Sequence, residues 1–553
     1  MQLISFRSLR YLSLVPLLGS LIYSSGVIAE EEVVSLAEIR KEFIAQDDFR
    51  TNLRRLMELE QQTLALIEDE PLKMGSFGSA ILDIYAASQT GHLALSRYYE
   101  HVEAIEAQNG HEAELTRIQS AMFETGTGNA DTPYEIMTIY DAHAFARTFD
   151  LSPVGSIYQS SEDAIFGFLL IARPEKAKLR QVFFDVSHLL PALGKPHDTP
   201  KSDRKGEDDH PINPWSVIRI LAAESDGAAQ TAIGAYLTNI KKYEDAMSWL
   251  KVASRSGNVL ANTLLARIYW TQSNAEKDAD KKTDLEQLAE ENYLHAIALG
   301  STDAMYSLAG LYLSDQVEAG DVSSGLALLE QSGDLGHAES LVYLAHIYNS
   351  GQHVGESSVD QTKAHEYFQK AAALNHAGAV LSYGRFLVAE RYEVDPEESV
   401  FAALTEMADN KETEAMVVIA NLHARGLAPK ASSRNAVKWY KRAVKAKPDD
   451  PDVVNEVAWT LTVSEIRGIK KPRYAKRIMD KLMKSVEAAR DRPEYLDTWA
   501  ATHAATGDFA GAIELQLKAI EVAKKLQRED VLDILSVHLK QFEADTSITE
   551  PAP

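Results

Sequence analysis

Ala436-Val437-Lys438-Trp439-Tyr440-Lys441-Arg442-Ala443 sets alanine, an aromatic and alanine at i, i+3 and i+7, which places all three on one face of a helix. The spacing recurs in Ala246-Met247-Ser248-Trp249-Leu250-Lys251-Val252-Ala253 and in Ala364-His365-Glu366-Tyr367-Phe368-Gln369-Lys370-Ala371. Each copy follows a first motif, a small residue flanked by apolar and aromatic partners. That motif occurs eight times: around Gly234, Ala266, Ala309, Ala345, Gly384, Ala420, Ala458 and Ala500. The intervals are 32, 43, 36, 39, 36, 38 and 42 residues. A period that drifts while the motifs persist puts insertions in loops and leaves the helices constant. Alanine lets two antiparallel helices approach closely, and the aromatic fills the gap to the next unit. Such a hairpin cannot bury its apolar face alone, so neighbours must stack. The expected fold is mainly α: an α-solenoid, a superhelix of antiparallel helix hairpins, with a small α+β segment in the N-terminal half.

Ala-x-x-Trp-Tyr-x-(Lys/Arg)-Ala, coming after segments such as Leu344-Ala345-His346-Ile347-Tyr348, resembles the Sel-one-like repeats, relatives of the tetratricopeptide repeat. Several units depart from the pattern. Gly325 stands where the second helix has Ala, Leu328-Leu329 replaces the aromatic pair, and the stretch Phe401 to Ala408 is degenerate. The tail is more similar to tetratricopeptide repeats proper, through Asn455 to Leu461, Tyr495 to Ala501, Gly507-Asp508-Phe509 and Ala512 to Ala519. The resemblance implies a scaffold for protein–protein contact or assembly, commonly at the bacterial envelope.

Composition narrows the classes. The 553 residues include no cysteine, which excludes disulfides, thiolate zinc, a thiol nucleophile, iron–sulfur clusters and a lipidated-cysteine anchor. With 81 acidic against 56 basic residues the formal charge is −25, which argues against nucleic acid as a partner. Arg7 and Arg10 precede a largely apolar run, Tyr11 to Ile28, and Val27-Ile28-Ala29 precedes Glu30-Glu31-Glu32. This reads as a signal peptide over residues 1–29, with an uncleaved membrane anchor as the rival. The expected localisation is periplasmic or secreted, and loss of two arginines takes the mature charge to −27. No later apolar run is long enough to span a bilayer.

Residues 30–125 read as helical, with Gly75 to Ala104 a diverged hairpin that bends at Gly91-His92. Residues 126–193 change period. Gly155 to Tyr158, Ile165 to Ile171 and Leu179 to Val186 are β-rich, which predicts an antiparallel meander with a flanking helix near Tyr134 to Phe149. The polar, Pro-rich 194–214 is the expected linker and domain boundary. Sel-one-like repeats then fill 215–447, tetratricopeptide-like repeats 448–535, and a disordered tail 536–553.

Candidate chemistry is sparse. His197, Asp198, Asp208, Asp209 and His210 are a permissible ligand set for a divalent metal, but Lys201, Arg204 and Lys205 lie among them and the spacing matches no known site. Asp141 and His143 are two apart on a predicted helix and so point to different faces, which leaves only a distant partner to complete an acid–base pair. No nucleophile elbow, phosphate loop or metalloprotease helix occurs, so no enzyme, cofactor or metal is expected. One charge island is more informative. Between Lys430 and Glu494 there are 17 Lys or Arg against nine Asp or Glu. Arg434, Lys438, Lys441, Arg442 and Lys445 line adjacent turns of one helix, and Arg477, Lys481 and Lys484 line a later one. These are either solvated outer faces or a surface for an acidic protein, an anionic polysaccharide or phosphorylated lipid headgroups. Two functions are therefore open: an exported scaffold whose concave surface holds a partner protein, or a ligand-binding or enzymatic α+β module that uses the repeats as a docking arm. A convergent polar pocket within Pro133 to Pro191 favours the second, and a filled apolar core there favours the first.

Overall fold

The computed structural model describes residues 35–160, 166–174, 178–190, 214–223, 226–314, 320–389 and 398–551. The signal segment and the five His and Asp residues between His197 and His210 lie outside them. The described chain is mainly helical and forms two compact units, which meet in sequence between Gly336 and His337.

The first unit opens with helices Leu36–Ala45, Phe49–Leu66, Met74–Ile84, Gln89–His101 and Ile105–Thr125. Gly91-His92 is not a bend. The turn is at Tyr85 to Ser88, where the Ser88 hydroxyl accepts from the Gly91 amide and so starts the second helix of the pair. Gly91 is needed for approach instead: a Cβ there would lie 2.7 Å from Leu82 Cδ2.

A four-stranded sheet follows, in the order β1-β4-β3-β2, with β1 at Tyr134–Glu135, β2 at Ser152–Ser160, β3 at Phe166–Arg173 and β4 at Arg180–Asp185. The β2-β3-β4 meander is antiparallel, as expected. The start of the predicted flanking helix is not helical. Tyr134–Glu135 is a strand parallel to β4, and the helix is Ile139–Thr148, begun by the Thr138 hydroxyl accepting from Asp141 N at 3.1 Å.

The sheet does not stand apart from the repeats. One core gathers Tyr158, Phe168 and Phe184 with Leu53, Phe145 and the helix residues Val217, Leu221 and Ala229. Another sets Val154, Leu169 and Ile171 against Val259, Ala266, Tyr293 and Leu308 from the repeats. Gly155 allows the contact, since a Cβ there would lie 2.7 Å from Val259 Cγ1. Thus the expected boundary at 194–214 does not separate an N-terminal module from the repeats, because the sheet is a layer within the first unit's helical stack.

All eight first motifs lie on the first helix of a hairpin. In the first unit the pairs are Gly227–Asn239 with Tyr243–Arg255, Val259–Ser273 with Ala279–Ala298, and Thr302–Leu313 with Val322–Asp334. The second unit pairs Ala338–Ser350 with Gln361–Ala373, Ala377–Ala389 with Glu398–Asp409, and Thr413–Arg425 with Ser433–Ala446. It continues with Pro451–Val463 and Pro472–Ser485, then Pro493–Ala504 and Phe509–Lys525. Asp226, Asn258, Ser301, Asp360, Ser432 and Asp450 cap their helices through side-chain oxygens, which satisfies backbone amides that would otherwise be unpaired.

The Ala-aromatic-Ala face is arranged one step away from the expected geometry. Ala246, Ala253, Ala364, Ala371, Ala436 and Ala443 are wholly buried, but so are Leu250, Phe368 and Tyr440 at i+4. The aromatics at i+3, Trp249, Tyr367 and Trp439, are half-buried at the rim. The expected disordered tail at 536–553 is also corrected where it is described. Helix Glu529–Glu543 runs into it, Phe542 and Ile548 are buried, and residues up to Pro551 are placed against the last repeats.

Candidate protein-interaction surface

The basic island resolves into two stripes on the second helices of successive hairpins. Arg434, Lys438, Lys441 and Lys445 are exposed at i, i+4, i+7 and i+11 of Ser433–Ala446. Arg477, Lys481 and Lys484 are exposed on Pro472–Ser485, and Arg473 extends that stripe by one turn. Arg473 escapes a reading of the sequence because the repeat motif does not mark its position. Tyr474 lies between the stripes, with Lys441 Nζ 5.0 Å and the Arg477 guanidinium carbon 5.1 Å from its ring centroid. The structure thus brings Lys441 and Arg477 together across the hairpins.

Arg442 does not belong to the exposed set. It is half-buried, pairs with Asp409 at 2.7 Å and lies over the Trp439 ring at 4.7 Å. Lys481 is 4.0 Å from Asp449, a contact at the limit of an ion pair. Among the described residues no carboxylate pairs with Arg434, Lys438, Lys445 or Lys484. The stripes lie on the second helices of their hairpins.

The α+β segment has a filled apolar core on both faces of its sheet. Asp141 does find a distant partner, but it is a carboxylate. Glu60 and Asp141 are both buried. Glu60 accepts from the Ser88 and Thr138 hydroxyls at 2.6 Å each, and Asp141 accepts from Gln89 N at 2.9 Å. Desolvation, together with the Asp141 charge, raises Glu60 well above the ordinary carboxylate value, and desolvation lifts Asp141 to about 6. Half-buried His143 is pushed down to about 4 by desolvation and then by Arg147. No spacing in the sequence links Glu60 to Thr138, 78 residues on. These groups brace the packing of three helices.

A cleft of about 870 Å³ opens beside the sheet, lined by Arg97, Arg147 and Arg173 with Glu68 and Asp150. Its arginines are partly engaged: Arg97 with Glu100 at 2.9 Å, Arg147 with Glu68 at 3.8 Å, and Arg173 with the Ala298 carbonyl at 3.1 Å. Among the described residues no group of three or more His, Asp or Glu could hold a metal ion, and no helix is long and apolar enough to cross a membrane.

The family model of the Sel1 repeat matches residues 302–337, 338–376 and 413–447. The hairpin at 377–409, degenerate in sequence, lies between matched repeats and has the same two-helix form. No curated protein matches the chain. A Sel1 repeat protein from Oxalobacter formigenes is 18% identical, with 46% of this chain and 98% of that one covered at a TM-score of 0.34. A protective antigen present in uropathogenic Escherichia coli strains, displaying an SLR fold, is 17% identical over 61% of this chain and 73% of that one, at 0.38. Yeast Tom70 is 12% identical over 88% and 96%, at 0.33. Repeats of this kind imply a protein–protein interaction scaffold. Three of the eight like hairpins along the sequence, at 302–337, 338–376 and 413–447, are thus Sel1 repeats.

Proposed function

We propose that this chain is an exported, periplasmic scaffold that assembles envelope proteins, and that it holds an acidic partner on the two basic stripes. The observation that carries the partner's chemistry is the convergence of eight exposed cations, Arg434, Lys438, Lys441, Lys445, Arg473, Arg477, Lys481 and Lys484, on two adjacent second helices. Within a chain of net charge −25 such a patch focuses positive potential, which steers a complementary acidic surface and makes the contact salt-sensitive. Tyr474, flanked by two cations, supplies an amphipathic centre of the kind that interfaces favour. The Arg7/Arg10 n-region and the apolar run behind it support export.

The test is a pull-down from the native host with wild type and with Lys438→Glu, Lys445→Glu, Arg477→Glu and Lys484→Glu combined. Arg442 is left intact because it holds Asp409. A partner recovered at low salt by wild type, and lost in the variant and at high salt, is the expected result. Recovery unchanged by both would overturn the basic stripes as the docking site. Cell fractionation tests export, with the processed chain expected in the periplasmic fraction.

A further inference from the structure

The C-terminal segment behaves as a bound ligand. After the last helix, Thr546 to Pro551 runs back against the first helix of an earlier hairpin and pairs with its end as a strand would. Glu550 N donates to the Val463 carbonyl at 2.8 Å and Glu465 N donates to the Glu550 carbonyl at 2.8 Å, a parallel bridge centred on Ser464. The indole Nε1 of Trp459 donates to Glu550 Oε2 at 2.9 Å. Ile548 is 5% exposed in an apolar seat with Val463, Ala500, Ala504 and Phe542. Thr549, between them, is exposed. Backbone pairing supplies affinity, and alternate side chains, one in an apolar seat and one on an indole donor, supply selectivity, which is the logic of strand addition to a free edge.

We infer that this seat is a docking site for an extended partner segment of the pattern apolar-x-Glu, and that the chain's own Ile548-Thr549-Glu550 fills it in cis until such a segment displaces it. The inference rests on the scaffold reading and names the partner chemistry of a second surface. The tail itself is the template. One buried side chain, two side-chain hydrogen bonds, from Trp459 to Glu550 and from Ser547 Oγ to the Ala504 carbonyl at 3.3 Å, and one two-bond bridge hold it, so it can leave without breaking a helix. The tether keeps its local concentration high, so a partner must compete with an intramolecular ligand. Alanines form much of the seat, and their side chains have no rotamers to rearrange, so the seat keeps its shape when the tail leaves.

The test uses the full chain and a fluorescent synthetic peptide of its residues 545–553. The I548D/E550K variant should bind this peptide, while wild type binds it at least tenfold more weakly. Adding Trp459→Phe to the opened variant should weaken binding by about tenfold, because the indole donor is lost. If I548D/E550K loses helical signal, Ile548→Ala serves in its place and should give a smaller change in the same direction. Peptide binding equal in wild type and opened variant, no binding by a folded opened variant, or equal binding of a scrambled peptide would each overturn the proposal. So would a tail exchanged only between two copies, seen as a wild-type dimer that the opened variant loses without gaining peptide binding. The stripe pull-down does not involve Ile548 or Glu550, so failure here leaves that result standing and failure there leaves this one.

Discussion

Asn258 Nδ2 donates to the backbone carbonyl of Ser156 at 2.7 Å, tying the cap of a repeat helix to a strand laid down 102 residues earlier. The same side chain accepts from Leu260 N through Oδ1 at 3.1 Å, so one buried amide both starts a helix and closes the sheet edge. Asn and Asp are nearly equivalent caps on a free helix. Here they should not be. Asn258→Asp keeps the cap but sets a carboxylate oxygen against the Ser156 carbonyl, and should cost about 2–4 kcal/mol; Asn258→Ala, which loses both bonds, should cost about 1–3 kcal/mol. Urea unfolding checks this. A cost for Asn258→Asp below about 0.5 kcal/mol would mean that sheet and repeats do not depend on that bond.

Asp226 carries a pH dependence of stated sign. It caps helix Gly227–Asn239 through Ala228 N and Ala229 N and accepts from the Tyr158 hydroxyl at 3.0 Å, yet desolvation raises it from 3.8 to about 6. Between those values the folded chain holds a proton that the unfolded chain has released. Its contribution is therefore present below about pH 4 and is lost as pH rises through 6. Asp226→Asn cannot titrate; its Oδ1 still accepts from Ala228 N and Ala229 N, and its Nδ2, in the place of the oxygen that accepts from Tyr158, donates to the Tyr158 hydroxyl oxygen instead. Relative to wild type the variant should gain stability across this window, by at most about 3 kcal/mol at pH 7. Glu60 and Asp141 titrate in both proteins, so the difference between the two unfolding curves at matched pH isolates Asp226. A flat difference would mean that Asp226 is solvated in the native state.

Local period made the hairpins legible. Ala364, Phe368 and Ala371 announce a helix face within eight residues, and the Sel1 repeat is matched over 338–376. What was hidden depends on partners far apart in sequence. Tyr134–Glu135 is too short to show an alternation, and its partner strand ends at Asp185. Arg442 reads as one more exposed cation until Asp409, 33 residues earlier, is set beside it. The last stretch, Thr546 to Pro551, looks polar because its buried anchor, Ile548, has no periodic companion. Sequence composition located the basic island, but only the placement of successive second helices brought Lys441 and Arg477 onto one ring.

The small residues of the first motif divide into those that packing requires and those it does not. Gly384, on helix Ala377–Ala389, faces the next hairpin so closely that an added methyl would lie 2.6 Å from Val418 Cγ1 and 3.4 Å from Leu404 Cδ1. Both neighbours are buried, and Leu404 is wholly so, which leaves little room for either to retreat. Gly384→Ala should therefore cost about 1–3 kcal/mol through overpacking, even though alanine is the better helix former. Gly310, on helix Thr302–Leu313, follows the motif's small residue Ala309, and a methyl group added there would meet nothing within 4 Å among the described residues. There the helix propensity is unopposed, and Gly310→Ala should gain about 0.5–1 kcal/mol. Thermal melting of the two variants beside wild type gives opposite shifts on this account. A Gly384→Ala protein as stable as wild type would mean that adjacent hairpins can separate by the width of a methyl group, and that the close approach is a consequence of stacking and not a condition for it.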